Sequence, residues 1–328
     1  MTADEGFLSR ALALARKGEG HTRPNPPVGA VVTVDGRIVG EGWHRRCGGD
    51  HAEVAAIKDA LKRRRSLRGA SIFVTLEPCS RPGRVGACTD AIAAAGIARV
   101  VYACPDPNPT NRGRARRVLA RAGIVCERFD FRSASAGFGK EPFDELITPF
   151  AKHVATGLPF VTVKIAMSLD GRICDDRGEA RWISSAASRR TTGALRERVD
   201  AIMVGAETVR RDDPSLLSHG RRNDDLVRVV VSRSGRLPRK ARVFADGAPN
   251  RTLVFGDAAE ALRELGRQGM MHVLCEGGMR LAVSLARAGL VDRWISVQAP
   301  CVIGDRPMAE AVRFPDSDSI RSFTCGRA

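Results

Sequence analysis

Four side chains constrain this chain more than any other feature. They are His51 and Glu53 of His51-Ala52-Glu53, Cys79 after Pro78, and Cys88 nine positions later. A histidine, two cysteines and a carboxylate that need not be a ligand are the parts of a hydrolytic zinc site. Three protein ligands leave the fourth tetrahedral position to water, and the ion makes that water acidic enough to attack at neutral pH. The fold must therefore bring separate segments to one point. His51 and Glu53 lie two apart, so within a regular helix they point about 200° away from each other. They can serve one site only in the first turn. Cys88 opens a predicted helix, whose free N–H groups and dipole favour a thiolate. Cys79 falls at the C-terminal end of a predicted strand, a common position for α/β active sites.

Two blander readings fit the same residues. Buried cysteines are often small hydrophobes, and an isolated His-x-Glu carries little information. Alternatively, Cys47 completes a closed structural set with His51, Cys79 and Cys88, which leaves Glu53 without a role. The joint occurrence of His51-Ala52-Glu53 at a helix start and Thr75-Leu76-Glu77-Pro78-Cys79-Ser80 at a strand end favours the catalytic reading.

The hydrophobic pattern predicts a helix from Asp4 to Lys17, a Pro24-Asn25-Pro26-Pro27 loop, and strands Val28–Val34 and Arg37–Glu41 joined by Asp35-Gly36. A helix from His51 to Leu61 follows, then strand Ser71–Leu76, helix Cys88–Ala95, strand Arg99–Cys104, helix Arg114–Ala122 and strand Ile124–Phe129. That order predicts a layered sheet with helices on its faces. The segment 131–157 reads as a connection with a short helix within Pro142–Val154. The pattern then restarts with strands Phe160–Met167, Ala201–Gly205, Val227–Val231, Thr252–Phe255, His272–Cys275 and Arg293–Gln298. Helices Ala187–Val199, Ala258–Arg267 and Met279–Ala288 are interleaved with them. Two α/β domains are expected, at 1–130 and 158–328, which suits a length of 328 residues.

The net charge of +16 raises the question of nucleic acid. Residues 1–150 hold 24 basic and 16 acidic side chains and residues 151–328 hold 29 and 21, so each half carries +8. Even spreading of this kind describes a solvated surface better than a binding face, and some arginines could serve a small phosphorylated substrate. Nine thinly spread cysteines suit a reducing compartment. No apolar run approaches the roughly 18 residues of a membrane span, and Asp4, Glu5 and Arg10 interrupt any signal-like N-terminal pattern. A cytoplasmic location is expected.

His51-Ala52-Glu53…Pro78-Cys79…Cys88 resembles the signature of the zinc-dependent cytidine-deaminase superfamily, H-x-E…P-C-x-x-C. Here eight residues separate the cysteines instead of two. That longer loop, with Pro24-Asn25-Pro26 upstream and Gly83-Arg84 inside it, is similar to the N-terminal domain of the bifunctional riboflavin-biosynthesis deaminase/reductases. The resemblance implies a cytidine-deaminase-like αβα domain with Zn2+ on His51, Cys79 and Cys88. It makes Glu53 the acid/base and Asn25, His44 and Arg84 contacts to the pyrimidine or its ribose phosphate. Arg81 stands where the family usually has histidine, and Val85-Gly86-Ala87 replaces a typical Thr-Pro-Pro.

In the second half, Lys164-Ile165-Ala166-Met167-Ser168-Leu169-Asp170-Gly171, Trp182-Ile183, Asp212-Asp213-Pro214 and Glu276-Gly277-Gly278 occur in order. Individually they read as turns or caps. Together they resemble the dihydrofolate-reductase-like α/β domain of the same family. By that resemblance Ala166, Trp182, Thr208, Asp212 and the turn from Gly278 meet NADPH. Arg196, Leu216 and Glu276 meet the substrate, and Lys164 and Asp212 lie near the reacting carbon. Ala180 replaces a common serine, His219 an arginine, and Ser232-Arg233 the usual Asp-Ser. The polar tail to Ala328 lacks the apolar final strand expected of such a domain.

The activity implied is deamination of 2,5-diamino-6-ribosylamino-4(3H)-pyrimidinone 5′-phosphate, then NADPH-dependent reduction of the ribosyl to a ribityl chain. The expected partners are that small phosphorylated pyrimidine and further copies of the chain, with neither membrane nor nucleic acid. Two alternatives are a deaminase whose reductase-like half is degenerate, and a nucleic-acid-editing deaminase.

Overall fold

The computed structural model describes residues 1–81, 86–178, 182–218, 224–248, 251–305, 311–313 and 318–325. The expectations for Arg84, Val85, Ala180 and His219 lie outside the described residues. The chain forms two compact units, Met1–Thr156 and Gly157–Ala328.

The first unit runs α1 (Ala3–Ala15), β1 (Gly29–Val34), β2 (Arg37–Trp43), α2 (Ala52–Leu61), β3 (Ser71–Leu76), α3 (Cys88–Ala94), β4 (Arg99–Cys104), α4 (Arg114–Arg121), β5 (Val125–Arg128) and α5 (Glu141–Thr156). Its sheet has the order β2-β1-β3-β4-β5. Strand β1 is antiparallel to both neighbours, while β3, β4 and β5 are parallel. The parallel strands therefore end together, and Cys79 leaves the sheet at that edge. Strands β3 and β4 are buried along nearly their whole length, as a sheet covered on both faces requires.

Helix α2, which follows His51 and carries Glu53, lies unusually close to β2. A Cβ at Gly42 would stand 2.3 Å from the Ala56 nitrogen and 2.5 Å from the Ala52 carbonyl oxygen. Only a residue without a side chain fits there, and the absence of side chains seats the helix N-terminus against the sheet.

The segment 131–157 is not a free connection. Phe131, Phe138 and Phe143 form a cluster with Phe129, with ring centroids 5.0 to 6.0 Å apart. Phe143, Leu146 and Ile147 of α5 are buried in the first unit's core. The Ser135 N–H donates to Glu5 Oε1 at 2.8 Å, and Glu5 also closes a capping box with Thr2 at the start of α1. The stretch misled because its aromatic residues pack on one another without a clean helical period, and because Pro149 sits inside α5.

The second unit runs β6 (Phe160–Met167), α6 (Ala186–Gly193), β7 (Ala201–Gly205), α7 (Ala206–Asp212), β8 (Val227–Val231), α8 (Arg242–Ala245), β9 (Thr252–Phe255), α9 (Ala258–Arg267), β10 (His272–Cys275), α10 (Met279–Arg287), β11 (Arg293–Gln298), β12 (Cys301–Val302), β13 (Val312–Arg313) and β14 (Ser319–Thr324). The seven-stranded sheet has the order β14-β11-β6-β10-β7-β8-β9, all parallel except β14. The polar tail does contain a final strand. Strand β14 pairs with the whole of β11 at the sheet edge, fully exposed, so its Ser, Arg and Thr residues face solvent and no apolar run is needed. The helix expected over Ala187–Val199 is α6 followed by a 3-10 turn at Ala194–Glu197.

Replacing Gly42 by alanine should force α2 away from β2. The expected loss is about 1–3 kcal/mol in the stability of the first unit, with the second unit's unfolding unchanged. Denaturant unfolding followed separately in the two units checks this.

Candidate active sites

His51 is not in the helix; it is the N-cap of α2, with extended backbone (φ −69°, ψ 163°). Glu53 is the second helical residue. That break in the helical repeat lets both side chains address one point. His51 Nδ1 lies 3.2 Å from Cys88 Sγ and 3.6 Å from Cys79 Sγ. The ligand atoms of all three lie within 4.8 Å of one another, an arrangement that fits a zinc ion. Cys47 is absent from this cluster, so the closed four-ligand reading finds no support among the described residues.

The start of α3 works differently from the expectation. The Cys88 N–H donates to Cys79 Sγ at 3.3 Å, so the helix N-terminus stabilises charge on Cys79 instead of on Cys88. Cys79 also accepts from the Cys88 thiol and from His51, and it is pulled down to about 4, whereas Cys88 is pushed up by its hydrogen bond to Cys79 and by burial. Glu53, buried at 3 % exposure, is pushed up to about 7 by desolvation and by the nearby Cys79 charge. A divalent cation held by the three side chains acts in the opposite sense, because it favours the carboxylate. A buried carboxyl beside such a cluster can exchange protons near neutral pH.

Asn25 and His44 come together beside these groups. Asn25 Nδ2 donates to His44 Nε2 at 3.1 Å, and His44 Nδ1 lies 3.0 Å from the Asp50 carbonyl. This pairing assigns the proton to Nδ1, and burial lowers the His44 pKa further toward that neutral form. The His44 ring meets His51 edge-on, centroids 5.2 Å apart.

In the second unit a cavity of about 650 Å3 opens at the C-terminal ends of β6, β7 and β10. Its lining includes Lys164, Ala166, Trp182, Arg196, Thr208, Asp212, Leu216 and Glu276, so the segments singled out in the sequence converge. Gly278 adjoins it, its N–H donating to Thr208 Oγ1 at 3.2 Å. Arg196 and Glu276 form a two-bond pair at 2.9 Å each, and Arg196 also donates to the Leu217 carbonyl at 3.0 Å. Asp212 is the last residue of α7, not part of a plain turn. Asp213 and Leu216 follow at positive φ (42° and 57°), a tight bend that turns Leu216 into the interior at 2 % exposure.

Sequence reasoning missed the groups that hold this bend. Arg228, 3 % exposed, donates to the Ser215 carbonyl at 3.1 Å and to Asp246 at 2.7 Å. Asp213 accepts from the Arg242 N–H at 2.7 Å. It also missed Arg189, which lies 4.3 Å over the Trp182 ring. One arginine among the 46 in this sequence gives no signal by spacing.

Residues 1–104 match the family described as the cytidine and deoxycytidylate deaminase zinc-binding region, and residues 159–325 match the RibD C-terminal domain. The riboflavin biosynthesis protein RibD of Aquifex aeolicus is 36 % identical over 327 residues, 92 % of this chain and 88 % of that protein. The chain belongs to the RibD family. The Escherichia coli RibD is 35 % identical, again over 92 % of this chain and 89 % of its own length. The Acinetobacter baumannii RibD structure superposes with a TM-score of 0.82 at 32 % identity, covering 99 % of both chains. The Thermotoga maritima diaminohydroxyphosphoribosylaminopyrimidine deaminase/5-amino-6-(5-phosphoribosylamino)uracil reductase gives 0.83 at 32 %, covering 98 % of this chain and 99 % of that one. As a RibD family member, this chain is a bifunctional enzyme of riboflavin biosynthesis. Its first unit is a zinc-binding deaminase domain of cytidine-deaminase type, and its second is the dihydrofolate-reductase-like, NADPH-dependent reductase domain.

Replacing Glu276 by glutamine removes the negative charge facing a largely buried guanidinium. The second unit should lose about 1–3 kcal/mol. Arg196→Lys should not preserve the pair, because a point charge cannot reproduce the planar two-bond fork. Urea unfolding of both variants measures the losses.

Proposed function

We propose that the first unit deaminates 2,5-diamino-6-ribosylamino-4(3H)-pyrimidinone 5′-phosphate and that the second reduces the product's ribosyl group to a ribityl chain. The observation that carries the deaminase reading is the convergence of His51, Cys79 and Cys88 within 4.8 Å, with buried Glu53 alongside. His51, Cys79 and Cys88 would hold the zinc, which when bound would make a water acidic enough to attack. Glu53 would carry one proton from that water to the ring nitrogen and then the remaining hydroxyl proton to the departing amine, which leaves as ammonia. Asn25 and His44, locked in one tautomeric arrangement, present fixed polar edges to the pyrimidine, and Arg84 is assigned to the same substrate.

In the second unit NADPH supplies the reducing equivalents. Ala166, Trp182, Thr208, Asp212 and Gly278 are assigned to hold it, and Arg196, Leu216 and Glu276 to hold the substrate. Lys164 and Asp212 are assigned to the reacting carbon, where a cation and a carboxylate can manage the proton that accompanies reduction. The gathering of these residues around one cavity favours an active reductase over a degenerate one. A cavity of this size also suits a small molecule better than a polynucleotide. Among the described residues no helix is long and apolar enough to cross a membrane, and all nine cysteines are free thiols. Those free thiols support a cytoplasmic location. Self-association into a homo-oligomer completes the proposal.

Glu53→Gln should retain zinc while deamination falls at least about 100-fold. Ammonia release and metal content, measured on the same sample, check this, and full residual activity would count against the proton-transfer role. Titrating the intact chain with NADPH should give saturable binding that a zinc chelator leaves unchanged while it abolishes ammonia release. Absence of NADPH binding would restore the degenerate-reductase reading.

A further inference from the structure

A set of buried polar side chains lies behind Cys79, and the catalytic proposal does not use it. It joins residues 77–80, which follow β3, to the loop between β4 and α4. Asn111 stands at its centre, 6 % exposed. Its Oδ1 accepts from the Ser80 N–H at 2.8 Å and from Ser80 Oγ at 2.9 Å. Its Nδ2 donates to Asp106 Oδ2 at 2.8 Å and reaches the Pro78 carbonyl at 3.5 Å. Asp106, 8 % exposed, is itself held because Oδ1 accepts from the Asn108 N–H at 2.8 Å. Glu77, 2 % exposed, takes the N–H groups of Gly113 at 3.0 Å, Ala115 at 3.2 Å and Asp106 at 3.3 Å.

The residues on both sides of Cys79 are thus tied to one amide side chain. The chemistry required at position 111 is narrow. It must accept on the side of Ser80 and donate on the side of Asp106, and the two ends of a carboxamide do both at once. Leucine would leave a nearly buried carboxylate oxygen and the Ser80 N–H without Asn111, and aspartate would set two carboxylates against each other.

We propose that Asn111 is the positioning residue for Cys79, clamping residues 78–80 so that the sulfur is already in place when zinc binds. This rests on the reading of Cys79 as a zinc ligand. A sulfur on an unclamped loop must be ordered each time the metal binds, and it can swing away to let the metal leave. Groups one bond removed from a ligand commonly tune metal affinity by about 10–100-fold in this way.

The test compares Asn111→Ala, Ser80→Ala and the exchanged pair Asp106→Asn with Asn111→Asp in the full-length protein. In the exchanged pair the carboxamide and carboxylate trade places. Position 111 still accepts from Ser80, and the new amide at 106 donates to it. Zinc loss to a chromogenic chelator, kcat and KM for ammonia release, and reductase turnover are measured for each. Asn111→Ala should lose zinc about tenfold faster and show a lower kcat with KM unchanged, while reductase turnover stays at the parent value. Ser80→Ala, which keeps the backbone N–H bond, should show the same effects more weakly. The exchanged pair should return zinc retention to within about threefold of the parent. The proposal is overturned if Asn111→Ala holds zinc as tightly as the parent. It is equally overturned if the folded exchanged pair, with parent-like thermal stability, still sheds zinc rapidly. Should Asn111→Ala fail to fold, Ser80→Ala and the exchanged pair decide by the same criteria. A parent protein without stoichiometric zinc, or one whose zinc survives Cys79→Ser, would defeat the metal-site reading itself, an outcome distinct from failure of the clamp.

Discussion

Two thiol sulfurs and an imidazole crowd within 4.8 Å in the first unit, and most of its architecture follows from keeping them there. Without a cation Cys88 keeps its proton and shares it with Cys79, and once both sulfurs carry charge around a metal the backbone must still hold them at that spacing. Three devices do so. His51 caps α2 without joining it, the α3 N-terminus lends its first N–H to Cys79, and parallel β3 and β4 end side by side. Gly42 contributes at a distance by letting α2 lie against β2. Gly42 and the paired strand ends are not ligands, yet they help to fix the cluster's geometry.

The two units solve the problem of a site differently. The first sets the strand end that carries Cys79 against two helix starts, where the Cys88 N–H favours negative sulfur on Cys79. The second gathers its groups at strand ends around a cavity and sets an arginine–glutamate pair within it. Arg196 and Glu276 are both mostly buried, at 15 % and 14 % side-chain exposure, so each is costly without the other. Such a pair fixes orientation more than it adds stability.

Much of this was legible in the residues. Strands β3, β4, β6, β7, β8, β9, β10 and β11 have the limits that apolar runs and turn residues implied, and for β3, β4, β6, β7, β8 and β10 the reason is that buried parallel strands read as nearly continuous apolar segments. The metal cluster was legible because His51-Ala52-Glu53 at a helix start and Cys79 at a strand end occur together, where either alone would carry little information. What stayed hidden had no periodic signal. Strand β14 is wholly exposed, so pairing with β11 defines it where hydrophobicity cannot. Asn111 sits in a loop and is defined by what it touches, and the Phe131–Phe143 stretch packs through aromatic faces at irregular spacing. The assignment of the helix dipole to Cys88 went astray because position in sequence does not say which sulfur the first N–H meets.

Strand β14 has one more consequence. It closes the side of the sheet where β11 would otherwise offer an open row of amides and carbonyls. In doing so it becomes the border strand of the sheet among the described residues. Its composition, Ser319-Ile320-Arg321-Ser322-Phe323-Thr324, places a full positive charge and three hydroxyls among two apolar side chains. A strand added at that edge would have to desolvate Arg321, a cost that disfavours edge-to-edge pairing.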